Sequence, residues 1–309
     1  MGILDKFFKK QDPLGELAVY LPKKDISKNI GKEDYKKVLA GIIIGDFIAS
    51  KFSTNEINGN IETIPLIDAK AKITSISVLA IASALAMKEI TERKIDNDFA
   101  IEECFTRHYK SFFDKYTNVD YSENFHRWVL GKNMKSHDAD SALIAQICII
   151  GAVTDDVKMV IRCASIIAKS FYCSKECEKA MIVASVMIFL QTHSIPNLEV
   201  QNYFKEQYSE NTEFNGSMSW TAIVELSYDK KTVSIEPNII IIEAFRNFFD
   251  SISFSDCMRN GIRYPNFREY VMPLTGAINA AQRPSPEIDR LPIDNFIQMY
   301  LPDEFKEFI

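Results

Sequence analysis

The chain has 309 residues, of which 47% are hydrophobic and 25% are charged, a composition typical of a globular protein with a large core. Its net charge of -6 argues against a nucleic-acid-binding surface. No apolar run reaches the roughly 20 residues of a membrane span, so we expect no stable membrane insertion. The six cysteines fall mostly inside apolar helical patterns, which predicts reduced thiols and a cytoplasmic protein.

The first 33 residues differ in character from the rest of the chain. They are rich in lysine and are interrupted by Pro13 and Pro22. Helical periodicity begins only near Asp34. We therefore predict an N-terminal extension over residues 1–33 and a single domain over residues 34–309.

The pattern of the domain is helical throughout. Beyond a polar loop at Thr54–Ala69, apolar residues recur every three or four positions from Ile73 to Met87, which predicts a buried helix. Alternation typical of strands is almost absent. Further helices are predicted over approximately residues 98–115, 121–130, 140–150, 155–170, 175–190, 200–207, 218–226, 237–250, 254–260 and 267–281. The fold class is therefore all-α, in one compact domain.

Gly41-Ile-Ile-Ile-Gly45-Asp46 is the most informative stretch of the first helix. The two glycines lie one turn apart, so they expose a strip of backbone that a neighbouring helix can approach. Asp46 follows in apolar surroundings, where a carboxylate must be paired, hydrogen-bonded or directed into a cleft. Two interpretations are open. The stretch is either a core helix that packs closely through its glycines and whose aspartate caps a neighbouring helix, or part of a functional motif.

The order of several segments resembles the ADP-ribosylglycohydrolase family, which includes dinitrogenase reductase-activating glycohydrolase-like proteins. The first match is the Gly-x-x-x-Gly-Asp motif at Gly41–Asp46. The others are an alanine-rich helix, a turn with its following helix, a long helix pair, and a closing group of helices that ends in Gly-Ala-Ile, at Lys72–Met87, Ser136–Gly151, Ile166–Ala184 and Glu243–Ala281. The resemblance implies a compact orthogonal multi-helix domain.

In active members of this family, acidic and hydroxyl residues of these motifs hold two magnesium ions that bind ADP-ribose and water. Here the motifs are degenerate. Alignment on Leu85 places Lys72-Ile73-Thr74-Ser75 where the family has Thr-Asp-Asp-Thr. Alignment on Gly276 places Phe267-Arg268-Glu269-Tyr270 where it has Asp-Thr-Asp-Thr, and Ser53 replaces an early glutamate. We therefore expect no resident metal and no cofactor, with magnesium only if the protein is an active enzyme.

The resemblance still defines candidate residues. The candidate catalytic carboxylates are Asp46, Glu269, Asp138 and Asp140, and the candidate ligand-cleft residues are Ser53, Thr74, Ser75, His137, Phe267 and Tyr270. The positions of family metal ligands are occupied by Ile73, Thr74, Phe267 and Glu269. Asp138 and Asp140 are also explained by helix capping, and Thr154 is predicted to cap the helix that follows it.

Three functions remain open at this point. The first is a non-catalytic pseudoenzyme that binds ADP-ribose, a related nucleotide or a protein partner. The second is an active hydrolase that releases ADP-ribose from modified protein or small molecules through a rearranged acidic site. The third is a helical scaffold whose cleft is filled by Ile73 and Phe267.

Overall fold

The structure, a computed structural model, describes residues 14–23, 26, 34–52, 63, 65–66, 71–131, 141–208, 236–262, 268–282, 301 and 303–308. These residues form α-helices and short 3-10 helices and include no strand, which confirms the all-α prediction. The α-helices are α1 (Asp34–Lys51), α2 (Ser75–Arg93), α3 (Asp98–Lys115), α4 (Glu123–Val129), α5 (Ala142–Ile147), α6 (Val157–Ser170), α7 (Lys175–Thr192), α8 (Asn197–Tyr208), α9 (Pro237–Phe249), α10 (Phe254–Ile262), α11 (Arg268–Ala281) and α12 (Asp303–Lys306).

The closest helix pair in the described core is α1 with α11. A Cβ atom added to Gly41 would lie inside van der Waals contact with the carbonyl oxygen of Gly276, and one added to Gly45 would meet the backbone of Met272 and Pro273 in the same way. The two contacts run in opposite directions along the chain, so the helices are antiparallel. The predicted glycine strip is therefore a backbone-to-backbone contact, which only residues without a side chain permit.

α7 lies in the centre of the fold. Nearly all of its side chains from Cys177 to Thr192 are buried, because it packs against α5, α6, α9 and α11. A helix that is apolar on every face must be enclosed in this way. None of the helices that the structure describes is long and apolar enough to cross a membrane.

Part of the predicted N-terminal extension packs against this core. Residues Gly15–Tyr20 form a 3-10 helix, and the preceding Leu14 is buried. The Tyr203 hydroxyl donates to the Tyr20 carbonyl oxygen at 3.0 Å, and Lys23 pairs with Glu206 at 3.0 Å. The boundary at residue 33 stays a prediction.

Two local predictions differ from the structure. The helix expected over 140–150 is a short α5 followed by a 3-10 helix at Cys148–Ala152. The cap of α6 is Asp156, whose carboxylate accepts from the N–H groups of Lys158 and Met159. Thr154 lies two residues before the cap position, and its hydroxyl accepts from the Asp156 N–H instead. The helix predicted over 218–226 lies outside the described residues. All six cysteines are free thiols, as predicted.

Candidate functional site

The Asp46 carboxylate, near the end of α1, is aimed at the beginning of α2. Its Oδ1 accepts a hydrogen bond of 2.6 Å from the Thr74 hydroxyl, and its Oδ2 accepts from the Thr74 N–H at 2.9 Å. The hydroxyl and N–H of Ser77 donate to the same Oδ2 at 2.5 and 3.4 Å. Asp46 is only 1% exposed, so these four donors replace water as its partners.

The arrangement is a helix cap supplied from another helix. Thr74 is the N-cap of α2, and its own hydroxyl accepts from the Ile76 N–H at 3.2 Å. Asp46 then satisfies the free N–H groups of Thr74 and Ser77 and places negative charge at the positive end of the helix dipole. Burial raises the pKa of Asp46 above its usual value, although the hydrogen bonds from Ser77 and Thr74 oppose that shift.

Lys72, two residues before Thr74, directs its charge at Asp120. Its ammonium group pairs with the Asp120 carboxylate at 2.9 Å, and both side chains are largely exposed. Its backbone N–H donates to the Ser50 hydroxyl at 2.8 Å, which holds the chain entering α2 against the end of α1. Lys72 therefore anchors this segment without contributing a negative charge.

The other cleft candidates that the structure describes lie at the starts of α2 and α11. Ser75 is the first residue of α2 and is half-buried, while Ile73 and Tyr270 are half-buried and pack against the hydrophobic core. Glu269 is half-buried in the first turn of α11. These contacts make Ile73 and Tyr270 part of the packing.

Arg268 begins α11 and is only 3% exposed. Burial lowers the pKa of its guanidinium group, and the charge of Glu269 opposes that shift.

The antiparallel contacts of Gly41 with Gly276 and of Gly45 with Met272, continued by one turn, place the start of α11 beside the end of α1. Asp46 and Glu269 thus lie at the same end of the α1–α11 pair. Ser53, His137, Asp138, Asp140 and Phe267 lie outside the described residues.

Comparison with solved structures identifies the fold. A structure described as an "ADP-ribosylglycohydrolase-related protein complex" matches 90% of this chain and 95% of its own, with a TM-score of 0.61 and 11% sequence identity. The chain has the ADP-ribosylglycohydrolase-type fold. No protein-family model and no curated protein sequence matches it. At this identity the comparison establishes the shared architecture, and the residues themselves must decide the chemistry.

The described residues do not fit the two magnesium ions of the family that this fold resembles. Magnesium requires an octahedral shell of oxygen ligands, usually carboxylates and waters. Asp46 already accepts four hydrogen bonds from Thr74 and Ser77, the Ile73 side chain offers no ligand atom, and the Lys72 ammonium group pairs with Asp120. Of the candidate acids in the described ranges, this leaves Glu269 as the carboxylate available for a cation.

Ser77 is the site residue that the sequence analysis missed. It lies three residues after Thr74, so both hydroxyls meet on the first turn of α2. The spacing Thr-x-x-Ser at the start of an alanine-rich helix was the available signal. The same spacing is common on the exposed first turns of helices, so it does not by itself indicate a buried aspartate as partner.

A separate pocket of about 340 Å³ lies between the 3-10 helix at Gly15–Tyr20 and the beginnings of α7 and α9. Its polar wall includes Tyr20, Lys175, Lys179 and Glu178. Glu178 is buried and accepts from the Ser165 hydroxyl at 2.6 Å and from the Lys175 ammonium at 3.0 Å. Burial, together with the charge of Glu178, raises the pKa of Tyr20. The pocket has no signature in the sequence, because residues far apart in the chain form it.

Proposed function

We propose that this chain is a non-catalytic binding protein built on the ADP-ribosylglycohydrolase-type fold. The observation that carries the proposal is the state of Asp46, whose carboxylate is 1% exposed and accepts four hydrogen bonds from Thr74 and Ser77. An acid enclosed in this way has no water to activate and no coordination sphere to complete. Asp46 stabilises the start of α2 and takes no part in hydrolysis.

The surroundings of Asp46 support the same conclusion. A buried carboxylate needs positive charge or hydrogen-bond donors, and the N-terminus of α2 with its two hydroxyls supplies the donors. A cation is therefore not needed to neutralise this end of α1. The resemblance places Ile73 and Thr74 where the family motif has its two aspartates, so those two negative charges are absent here.

ADP-ribose is the first ligand to test, because the fold is shared with an ADP-ribosylglycohydrolase-related protein. A protein partner is the second ligand class, since that neighbour is described as a complex. The filled-cleft scaffold is a second candidate function. It is favoured by one observation, the packing of Ile73 and Tyr270 against the core.

The test is calorimetric titration of ADP-ribose into the purified protein, with and without excess magnesium, followed by an assay for ADP-ribose release from modified protein. We expect binding without turnover, and equal affinity in both conditions. Release of ADP-ribose, or binding that requires magnesium, would overturn the proposal and favour a hydrolase that uses Glu269 with Asp138 or Asp140. The absence of nucleotide binding would favour the scaffold and direct the search to protein partners.

A further inference from the structure

A group of metal-ligand side chains lies on the opposite half of α2 from Thr74. Glu89 faces Cys104 and His108 of α3, and the donor atoms of these three residues all lie within 4.8 Å of one another. Cys104 and His108 are four residues apart, so they project from the same face of α3. Because α2 packs along α3, Glu89 meets both of them.

The geometry is already close to that of a coordination site. His108 Nε2 and Glu89 Oε2 are 2.9 Å apart, and both side chains are mostly buried, with 17% and 15% exposure. Cys104 is buried beneath them, and its thiol donates to the Ala86 carbonyl oxygen at 3.7 Å. Bonds of about 2.0–2.3 Å in a tetrahedral zinc site separate neighbouring donors by roughly 3.3–3.8 Å. Small side-chain adjustments would therefore bring the three donors to one cation.

We propose that Glu89, Cys104 and His108 bind a divalent transition-metal cation of the zinc type, with water in the fourth position. The donor set decides the class of cation. A thiolate and an imidazole suit zinc and its neighbours, whereas magnesium and calcium require oxygen ligands. Three protein ligands with water as the fourth are the arrangement of a zinc site that is not closed by protein.

Two arginines share Glu89 with this site. Arg93 and Arg107 each contact Glu89 Oε1 at 2.8 Å, which leaves Oε2 directed at His108. Their side chains are 71% and 55% exposed, so both can turn into solvent when a cation arrives. Because the two guanidinium groups compete for the carboxylate, we expect weaker binding than in a closed four-cysteine site.

Metal binding exchanges protons for the cation. The Cys104 thiol loses its proton to solvent as the sulfur–metal bond forms, and His108 binds through its neutral Nε2 in place of the hydrogen bond to Glu89. Burial, with the charge of Glu89, raises the pKa of Cys104 to about 11, so the thiol is protonated until a cation is present. Without metal, Glu89 of α2 pairs with Arg107 of α3 and lies within hydrogen-bond distance of His108 Nε2, which joins the two helices.

This inference is independent of the proposed function. Glu89 lies fifteen residues after Thr74, about 20 Å along α2, so cation binding here does not involve Asp46 or Glu269. A protein that fails to bind ADP-ribose could still bind a cation at Glu89, Cys104 and His108. A protein that fails to bind a cation there could still bind ADP-ribose.

The test is titration of the reduced, metal-free protein with Co²⁺, whose bond to a thiolate gives a charge-transfer absorption band. We expect one equivalent of Co²⁺ to produce the band and zinc to remove it. Cys104→Ser should abolish the band, and His108→Gln should weaken binding by roughly tenfold or more. The matched controls are Cys173→Ser, at a half-exposed thiol, and His126→Gln, at an exposed histidine, and both should bind as the parent does.

Zinc-dependent melting gives a second measurement in case Cys104→Ser does not fold. Zinc should raise the melting temperature of the parent and of the control variants, and it should raise that of His108→Gln by less at the same zinc concentration. A folded parent that shows no thiolate band would overturn the proposal. A band that persists in Cys104→Ser, or one that is lost in Cys173→Ser, would overturn it as well.

Discussion

The Asp46 carboxylate and the Ser77 hydroxyl, 31 residues apart in the sequence, lie 2.5 Å apart in the core. The contact joins the end of α1 to the first turn of α2, and Thr74 completes it from the residue before that turn. An aspartate that a family motif would assign to metal binding therefore works here as a helix cap. Its role predicts effects on stability that a metal ligand would not produce.

Replacement of Asp46 by alanine should destabilise the fold by about 2–4 kcal/mol. The change leaves the N–H groups of Thr74 and Ser77 buried without an acceptor. Urea unfolding of the parent and the variant measures the effect. The control is Asp120→Ala, which removes an exposed partner of Lys72 and should change stability by less than about 0.5 kcal/mol. Equal stabilities of the two variants would refute the capping role.

The stability contributed by Asp46 should depend on pH in an unusual direction. Because burial raises its pKa in the folded state, the folded protein holds the proton more tightly than the unfolded chain. This contribution is complete below the unfolded pKa of about 4 and is lost as the pH rises through the folded value. Asp46→Asn carries no charge at any pH. The parent should therefore lose stability relative to Asp46→Asn as the pH rises from about 3. A difference that grows in the parent's favour would contradict the raised pKa.

The contact between α1 and α11 should tolerate no added methyl group. Gly41→Ala places a Cβ against the backbone carbonyl of Gly276. A backbone group cannot rotate away as a side chain can, so the two helices would have to separate. We expect a loss of about 3 kcal/mol in the free energy of unfolding. Gly15→Ala adds the same methyl group where no atom lies within 4 Å, at a φ of +48°, and should cost about 1 kcal/mol. Chemical denaturation compares the two variants, and equal losses would show that the helices can separate without cost.

Magnesium should not stabilise the protein. A ligand that binds only the folded state raises the melting temperature, and a di-magnesium site would do so at millimolar concentration. The described residues at the end of α1 offer no such site, because the Asp46 carboxylate is engaged by Thr74 and Ser77 and the Ile73 side chain has no ligand atom. Thermal unfolding with magnesium and with an equal ionic strength of sodium provides the comparison. A rise specific to magnesium would mean that residues outside the described ranges complete a metal centre.

Much of the architecture could be predicted from local pattern. The three-to-four spacing of apolar residues located α2 and α3, and the glycines of Gly41-x-x-x-Gly45 correctly indicated a close helix contact. The identity of the partner helix could not be predicted from that spacing, because any small-residue helix can fit such a strip. The candidate site was predicted less well. Asp46, Thr74 and Glu269 came to one end of α1, but Ser77 and the group of Glu89, Cys104 and His108 were missed.

The sequence by itself determined the helical class and the bare strip formed by Gly41 and Gly45, since both follow from residue types at fixed local spacing. Whether Asp46 is a ligand or a cap was open in the sequence. Only the tertiary structure shows its hydrogen bonds with Thr74 and Ser77, because such bonds depend on distances of about 3 Å between groups that lie far apart in the chain. The same reason explains the facing donors of α2 and α3, which share no local pattern and meet only when the helices pack.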